Sequence, residues 1–83
     1  MVAEISILGR IVDFLSSAPD DEAIISIKAT RSEIDRLDHL ETLRREGSIS
    51  ETELNELNAT LIAEQMMVIA KANAYGRLKR TSN

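Results

Sequence analysis

Apolar residues recur every three or four positions along most of this chain, the spacing that places them on one face of an α-helix. No stretch alternates apolar and polar residues over a length that would favour a β-strand, and most residues between the apparent breaks are good helix formers. The pattern therefore predicts an all-α fold. Its three helices cover about residues 3–16, 20–46 and 51–79 of a single domain that spans 1–83, with a frayed tail at 80–83.

The first predicted helix is short, and its apolar residues form one stripe: Ile5, Leu8, Ile11, Val12 and Leu15. It ends before Pro19, because proline disfavours a helical conformation in the residue that precedes it. Asp20 then offers a side-chain cap for the next helix, and Asp21 and Glu22 place negative charge in its first turn, where the helix dipole favours it. We therefore expect the second helix to begin at about Asp20.

The second predicted helix contains the sign of a break. Its apolar stripe drifts around the helix instead of keeping a heptad spacing, and Thr30 with Glu33 has the sequence of a capping box. In that motif the hydroxyl accepts a hydrogen bond from the amide three residues on, and the carboxylate accepts one from the amide of the capping residue. We therefore expect a kink in the stretch 29–32.

Two signals mark the turn before the last predicted helix. Gly47 suits the left-handed conformation just past a helix C-terminus, and Arg44 and Arg45 lie in the preceding turn, where positive charge is favoured. Ser50 and Glu53 form a second capping-box sequence. Together these signals predict a helix-to-helix turn centred on Gly47.

The last predicted helix has a heptad pattern. Its a and d positions hold the apolar or aromatic residues Leu54, Leu57, Leu61, Val68, Tyr75 and Leu78. Glu64 and Lys71 occupy two further d positions. A neighbouring stripe of small residues would let another helix approach closely: Ala59, Ala63, Ala70 and Ala74. The apolar surface extends further around the helix because four more apolar residues flank the seam: Ile62, Met66, Met67 and Ile69. One partner helix cannot cover so broad a surface.

The length of the last helix constrains the architecture. A helix of about 29 residues is a rod of roughly 43 Å, whereas a compact chain of this size has a diameter of about 30 Å. The economical arrangement is an antiparallel hairpin of the two long helices, with the short first helix folded against part of it. Such a three-helix arrangement brings an acidic group near a basic group at its open end: Asp20, Asp21 and Glu22 near Arg77, Lys79 and Arg80. At the turn it brings Arg44 and Arg45 near Glu51 and Glu53.

A hairpin leaves one flank of each long helix uncovered, and a chain this short buries only about 60% of its unfolded surface. We therefore expect the last helix to recruit a partner and complete a helical bundle, most simply as a coiled-coil-like homodimer. The alternative is a monomeric three-helix bundle in which the first helix covers the patch. The predicted partner interface comprises Leu54, Leu57, Leu61, Ile62, Met66, Val68, Ile69, Ala70, Tyr75 and Leu78.

The composition argues against most catalytic and metal chemistry. The chain has no Cys, three Gly and a single His, His39, so it lacks a thiol nucleophile, a two-His metal site and a glycine-rich phosphate loop. Asp35 and His39 share a helix face, but two ligands make a poor metal site. The acidic run from Asp20 to Glu22 lacks the ligand spacing of a calcium loop. We therefore predict no enzyme activity, no metal and no cofactor.

The charge distribution leaves two alternative functions open. The net charge of −4 argues against a surface built to hold phosphates, but residues 65–83 contain basic side chains and no acid. Arg77, Lys79 and Arg80 could contact phosphates in a small nucleic-acid-associated regulator, although aromatic residues for base stacking make up only 2% of the chain. The second alternative is an acidic decoy, in which the base-free stretch 46–64 blocks a basic site on a target protein.

The function that the pattern favours is a non-enzymatic helical interaction module that acts through the apolar face of its last helix. An assembly subunit, a small chaperone and a regulatory adaptor all fit this description. No apolar run approaches the roughly 20 residues that span a membrane. A signal peptide needs an unbroken apolar stretch near the N-terminus, and here Glu4 and Ser6 interrupt it. We therefore expect a cytoplasmic protein, although export by a signal-independent route would leave no trace.

Overall fold

The computed structural model describes residues 6–81, and all regular elements within that range are α-helices. They are α1 (Ile7–Ser16), α2 (Asp21–Ser26), α3 (Arg31–Arg45) and α4 (Glu51–Thr81). The predicted all-α class is therefore confirmed. Part of the tail that was expected to fray at 80–83 is helical, because α4 continues through Thr81, and the rest of that tail lies outside the described residues.

Helix α1 begins later than the sequence pattern predicts. Ser6 is its N-cap, with an extended backbone, and its hydroxyl oxygen accepts a hydrogen bond from the amide of Gly9 at 3.1 Å. Because the capping residue is itself not helical, the first helical residue is Ile7. The predicted positions 3–5, which include Ile5 of the apolar stripe, lie outside the described residues.

The segment predicted as one kinked helix over 20–46 is two separate helices, α2 and α3. The carboxylate of Asp20 caps α2 by accepting from the amide of Ala23 at 2.8 Å. The predicted capping box of α3 is confirmed, since the Thr30 hydroxyl accepts from the amide of Glu33 at 3.1 Å and the Glu33 carboxylate accepts from the amide of Thr30 at 2.8 Å. This motif requires an extended backbone at Thr30, where ψ is 162°, so the helix is interrupted rather than bent.

The turn between α3 and α4 has the structure that its sequence predicts. Gly47 has a φ of 73°, in the left-handed region that glycine adopts without steric cost. The amides of Gly47 and Ser48 donate to the carbonyls of Arg44 and Leu43, the pair of hydrogen bonds that defines a Schellman motif. Beyond it, Ser50 and Glu53 exchange both hydrogen bonds of a capping box, at 3.1 and 3.0 Å. These local bonds end α3 and start α4.

Helix α4 is the axis of the molecule, and the three shorter helices each pack against it. It contains 31 residues, which corresponds to a length of about 46 Å. The molecule measures 52 × 28 × 19 Å, and its radius of gyration of 15.2 Å exceeds the value of about 12 Å for a compact chain of this size. The expected hairpin of two long helices is therefore replaced by one long helix that carries three short ones.

The side of α4 that faces the short helices is called the inner face here. Its covered residues recur at helical spacing: Leu57, Thr60, Ala63, Met67 and Ala74. Near the middle of α4, Ala63 and Met67 form a buried cluster with Ile7 and Ile11 of α1. Two of the four residues in the predicted stripe of small residues, Ala63 and Ala74, lie on this face, and the other two, Ala59 and Ala70, are half-buried. Small side chains let the backbones of neighbouring helices approach closely.

An ion pair that the sequence pattern does not reveal connects α1 to α3. The guanidinium of Arg10 donates two hydrogen bonds of 2.7 Å to the carboxylate of Glu33 and a third, of 3.1 Å, to the carbonyl of Lys28. Glu33 is also the capping-box residue of α3. Arg10 therefore fixes the direction in which the chain leaves α2 and enters α3.

Candidate functional site

The side of α4 opposite the inner face is open to solvent and carries large apolar side chains between polar ones such as Asn58 and Gln65. Its six large apolar side chains are between 38% and 68% exposed. They define the surface called the outer stripe here: Leu54, Leu61, Ile62, Val68, Ile69 and Tyr75. A helix of this composition on one side, with its other side already packed, is a surface that favours a partner.

The outer stripe follows a regular helical spacing. Leu54, Leu61, Val68 and Tyr75 recur every seventh residue, and Ile62 and Ile69 directly follow two of them. The stripe extends for about 32 Å from its first to its last residue. At its centre lies a shallow groove of about 410 Å³ whose walls are Leu61, Glu64, Gln65, Val68 and Ile69. A groove between apolar side chains at this spacing is the shape into which the side chains of a second helix insert.

The structure divides the ten-residue interface that the sequence predicts. The six residues of the outer stripe are exposed, whereas Leu57 is 1% exposed and belongs to the inner face. Met66 packs against the buried cluster around Ile11, and Ala70 and Leu78 are half-buried. The heptad a positions are exposed, whereas among the d positions Leu57 is buried and Glu64, Lys71 and Leu78 are half-buried. The predicted a/d seam is therefore not a single exposed surface, because the chain itself covers Leu57. The interface stays a prediction.

The basic end of α4 takes part in holding the fold together. The guanidinium of Arg77 donates to one carboxylate oxygen of Asp21, with nitrogen to oxygen distances of 2.8 and 2.7 Å. This hydrogen bond raises the pKa of Arg77. The expected approach of α2's acidic start to the basic end of the last helix is thus present in the pair of Asp21 with Arg77. Phosphate contacts by Arg77, Lys79 and Arg80 stay a prediction.

The acidic stretch 46–64 also uses carboxylates within the fold. Glu53 caps α4, and Glu56 accepts two hydrogen bonds from the guanidinium of Arg36, at 2.8 and 2.9 Å. These bonds lower the pKa of both carboxylates. Among the described residues, Arg44 and Arg45 form no ion pair across the turn, contrary to the expected pairing. The function of an acidic decoy remains a hypothesis.

A polar cleft of about 280 Å³ lies where α1, α3 and α4 meet. It is lined by Ser6, Ile7, Ser32, Glu33, Arg36, Glu56 and Thr60. Its carboxylates are already paired, Glu33 with Arg10 and Glu56 with Arg36. The hydrogen bond from Arg10 lowers the pKa of Glu33. The Thr60 hydroxyl donates to the carbonyl of Glu56 at 2.9 Å. The two ion pairs of this cleft therefore connect helices, whereas the Thr60 hydrogen bond lies within α4.

Asp35 and His39, the pair considered for metal binding, do not form part of a larger group of metal ligands among the described residues. Asp35 forms an ion pair of 3.3 Å with Arg31, one turn earlier on α3, and His39 is exposed. Among the residues that the structure describes, no three His, Cys, Asp or Glu side chains lie together as metal ligands. Within the same part of the chain, no helix combines the length and apolar character needed to cross a membrane.

No protein-family model matches this chain, and neither a curated protein nor a solved structure does so. Its function is therefore inferred from its own surfaces, among which the outer stripe is the most distinctive.

Proposed function

We propose that this chain is a non-enzymatic helical interaction module, and that the outer stripe of α4 is its protein-binding surface. One observation carries the proposal: six large apolar residues stand exposed at helical spacing on one side of a helix whose other side is packed. Isolated exposed apolar residues are ordinary, whereas several large ones gathered on one side of a helix in a small protein mark an interaction site. A second helix-bearing protein would cover the strip along its length.

Burial of the outer stripe against a partner favours association. Each square ångström of apolar area removed from water contributes about 25 cal/mol. Leu54 to Tyr75 gives a strip of about 32 Å by the width of a helix, about 10 Å, so both partners together bury several hundred square ångströms. Association itself costs several kcal/mol of lost rotational and translational freedom. We therefore expect a complex of moderate affinity, in keeping with a subunit of an assembly, a small chaperone or a regulatory adaptor.

The elongated shape supports the same proposal. A second copy of this chain is the simplest partner, since two outer stripes would cover one another and give a homodimer with a central pair of long helices. A client protein with an amphipathic helix could use the same surface. A cytoplasmic location suits either partner and stays a prediction.

The experiment compares substitutions inside and outside the outer stripe. Ile62→Ser with Ile69→Ser removes two exposed residues of the stripe, and Val12→Ser with Ile34→Ser removes two exposed residues of α1 and α3. Circular dichroism first establishes that both double variants remain helical. We then expect the wild-type protein and the Val12/Ile34 variant to bind the same proteins, in self-association and in capture from extracts of the cells that make the chain.

The Ile62/Ile69 variant should lose that binding by at least about tenfold, because one buried isoleucine side chain contributes about 1.5–3 kcal/mol. Equal binding by all three proteins would contradict the proposed function, since the outer stripe would then have no role in recognition.

A further inference from the structure

The outer stripe has a sequence that is symmetric about its centre. Gln65 lies in the central groove, and an apolar pair stands three and four residues away on each side, Leu61 with Ile62 before it and Val68 with Ile69 after it. A two-fold axis beside Gln65, perpendicular to α4, places Leu61 opposite Ile69 of a second copy and Ile62 opposite its Val68. The stripe is therefore complementary to itself when the second helix runs in the opposite direction.

Charge on α4 favours the same direction. The first turn of α4 holds Glu51 and Glu53, and its last turn holds Lys79 and Arg80. An antiparallel pair brings each acidic end beside a basic end and also opposes the two helix dipoles, whereas a parallel pair in register brings like charges together.

Gln65, which lies beside the stripe, finds a polar partner in this arrangement. The side-chain amides of two Gln65 residues meet at the axis, where each can donate to and accept from the other. Asn55 lies opposite Tyr75 of the second copy, and Asn58 lies opposite its Ala72. A polar pair at the centre of an otherwise apolar helix interface fixes the register, because any shift would bury the amides without hydrogen bonds.

We propose that the outer stripe binds a second copy of this chain in antiparallel orientation, with the two-fold axis beside Gln65. This inference rests on the proposed function and specifies the partner and register of that surface. The resulting interface is isologous, so each copy contributes the same residues. Both α4 helices overlap along nearly their entire length, from residue 51 to residue 79, and Glu51 of each copy lies opposite Lys79 of the other.

The test uses the absence of Cys from the sequence, which lets single cysteines report which residues meet. Gln65→Cys should form a disulfide-linked dimer under mild oxidation, because the two copies of residue 65 face each other at the axis. Asn58→Cys is the matched control, at the same heptad position and also exposed. Its two copies would be about 21 Å apart along the helix, whereas a disulfide requires Cα atoms within about 7 Å.

We expect at least about tenfold more cross-linked dimer for Gln65→Cys than for Asn58→Cys or Ala72→Cys alone, for which the distance exceeds disulfide reach. An equimolar mixture of Asn58→Cys and Ala72→Cys should cross-link to the mixed dimer. Addition of Ile62→Ser and Ile69→Ser to Gln65→Cys should abolish cross-linking. Sedimentation of the reduced proteins at micromolar concentration shows whether each variant associates before oxidation.

Three results would overturn the inference. Equal self-cross-linking at positions 58, 65 and 72 would indicate a parallel pair. If the two copies of Gln65→Cys do not cross-link in a protein that sediments as a dimer, the dimer has another register or uses another surface. A wild-type protein that sediments as a monomer would exclude the second copy as partner. If that monomer still binds a client through Ile62 and Ile69, the proposed function holds and only this inference fails.

Discussion

The inner face of α4 combines small side chains with Leu57 and Met67, whereas the outer stripe consists of large side chains throughout. The inner face carries Thr60, Ala63 and Ala74, all less than 9% exposed, whereas the outer stripe carries branched residues such as Ile62 and Val68 that stay at least half exposed. Small residues let α1, α2 and α3 lie close to the axis of α4, where short helices can be held by few side chains. Large side chains keep a neighbouring helix at a greater distance from the axis of α4, and they pack well only where that helix leaves gaps between its own side chains.

This difference shows that apolar content alone does not distinguish a core from an interface. Both faces carry enough apolar area that covering them from water is favourable. The three short helices cover the face on which backbones can approach most closely, and they leave the large side chains of the outer stripe exposed to solvent. Ion pairs with bidentate or shared geometry border the covered face, as Arg10 with Glu33 and Arg36 with Glu56 show.

The largest expected effect comes from the same substitution on each face. Leu57 is 1% exposed and Leu61, one turn later, is 38% exposed. Leu57→Ala should lower the free energy of unfolding by about 3 kcal/mol, because it leaves a cavity in the core. Leu61→Ala should lower it by less than about 0.5 kcal/mol in the monomer, since little packing is lost.

Urea unfolding followed by circular dichroism measures both values, at several protein concentrations so that any loss of association can be separated from loss of folding. Similar losses for the two variants at the lowest concentration would show that the outer stripe is packed within the monomer. The comparison between the two faces would then be wrong.

The sequence predicts the parts of this fold that depend on a few consecutive residues. Both capping boxes, at Thr30 and Ser50, and the left-handed turn at Gly47 are formed by groups within five residues of each other, so their sequence determines their bonds. The six residues of the outer stripe all belong to the predicted interface, which stays a prediction. The break at Thr30 is predicted as a kink, since the sequence shows the cap but not the extended residues before it.

The sequence does not predict how α4 divides its apolar residues between two faces. The heptad pattern joins Leu57 with Leu54 and Leu61 in one seam, although only Leu57 is covered by the chain itself. That division depends on where the short helices dock, and docking is set by contacts between residues far apart in sequence. The bond from Arg10 to Glu33 spans 23 residues and gives no local signal.

A smaller effect is expected from the ion pair that fixes α1 and α3 over the inner face. Arg10→Ala should lower the free energy of unfolding by about 2 kcal/mol, because a carboxylate that is 16% exposed loses its charged partner. Arg31→Ala is the matched control, since Arg31 is 87% exposed and pairs with Asp35 one turn away. It should cost about 0.3 kcal/mol. Urea unfolding of both variants gives the comparison, and equal costs would show that Arg10 adds nothing beyond a surface pair.

The smallest expected effect is a dependence on acid that belongs to the inner face. The hydrogen bond from Arg10 lowers the pKa of Glu33 in the folded state, and that from Arg36 lowers the pKa of Glu56. A carboxylate whose pKa is lower in the folded state stabilises the fold at pH values above its unfolded pKa. This contribution disappears as the pH falls through the folded pKa. The midpoint of thermal unfolding should therefore decrease as the pH is lowered below about 4.5.

Glu33→Gln isolates one of these contributions. At neutral pH it should lower the unfolding midpoint by about 4–8 °C, the shift that about 1 kcal/mol produces in a domain of this size, because the amide keeps part of the hydrogen bonding but loses the charge. The difference from wild type should shrink towards zero in acid, where the native carboxylate is protonated as well. Asp38→Asn on the same helix, at an exposed residue without a described ion pair, should shift the midpoint little at neutral pH. A Glu33→Gln difference that stays constant with pH would assign the role of Glu33 to its capping bonds rather than to its charge.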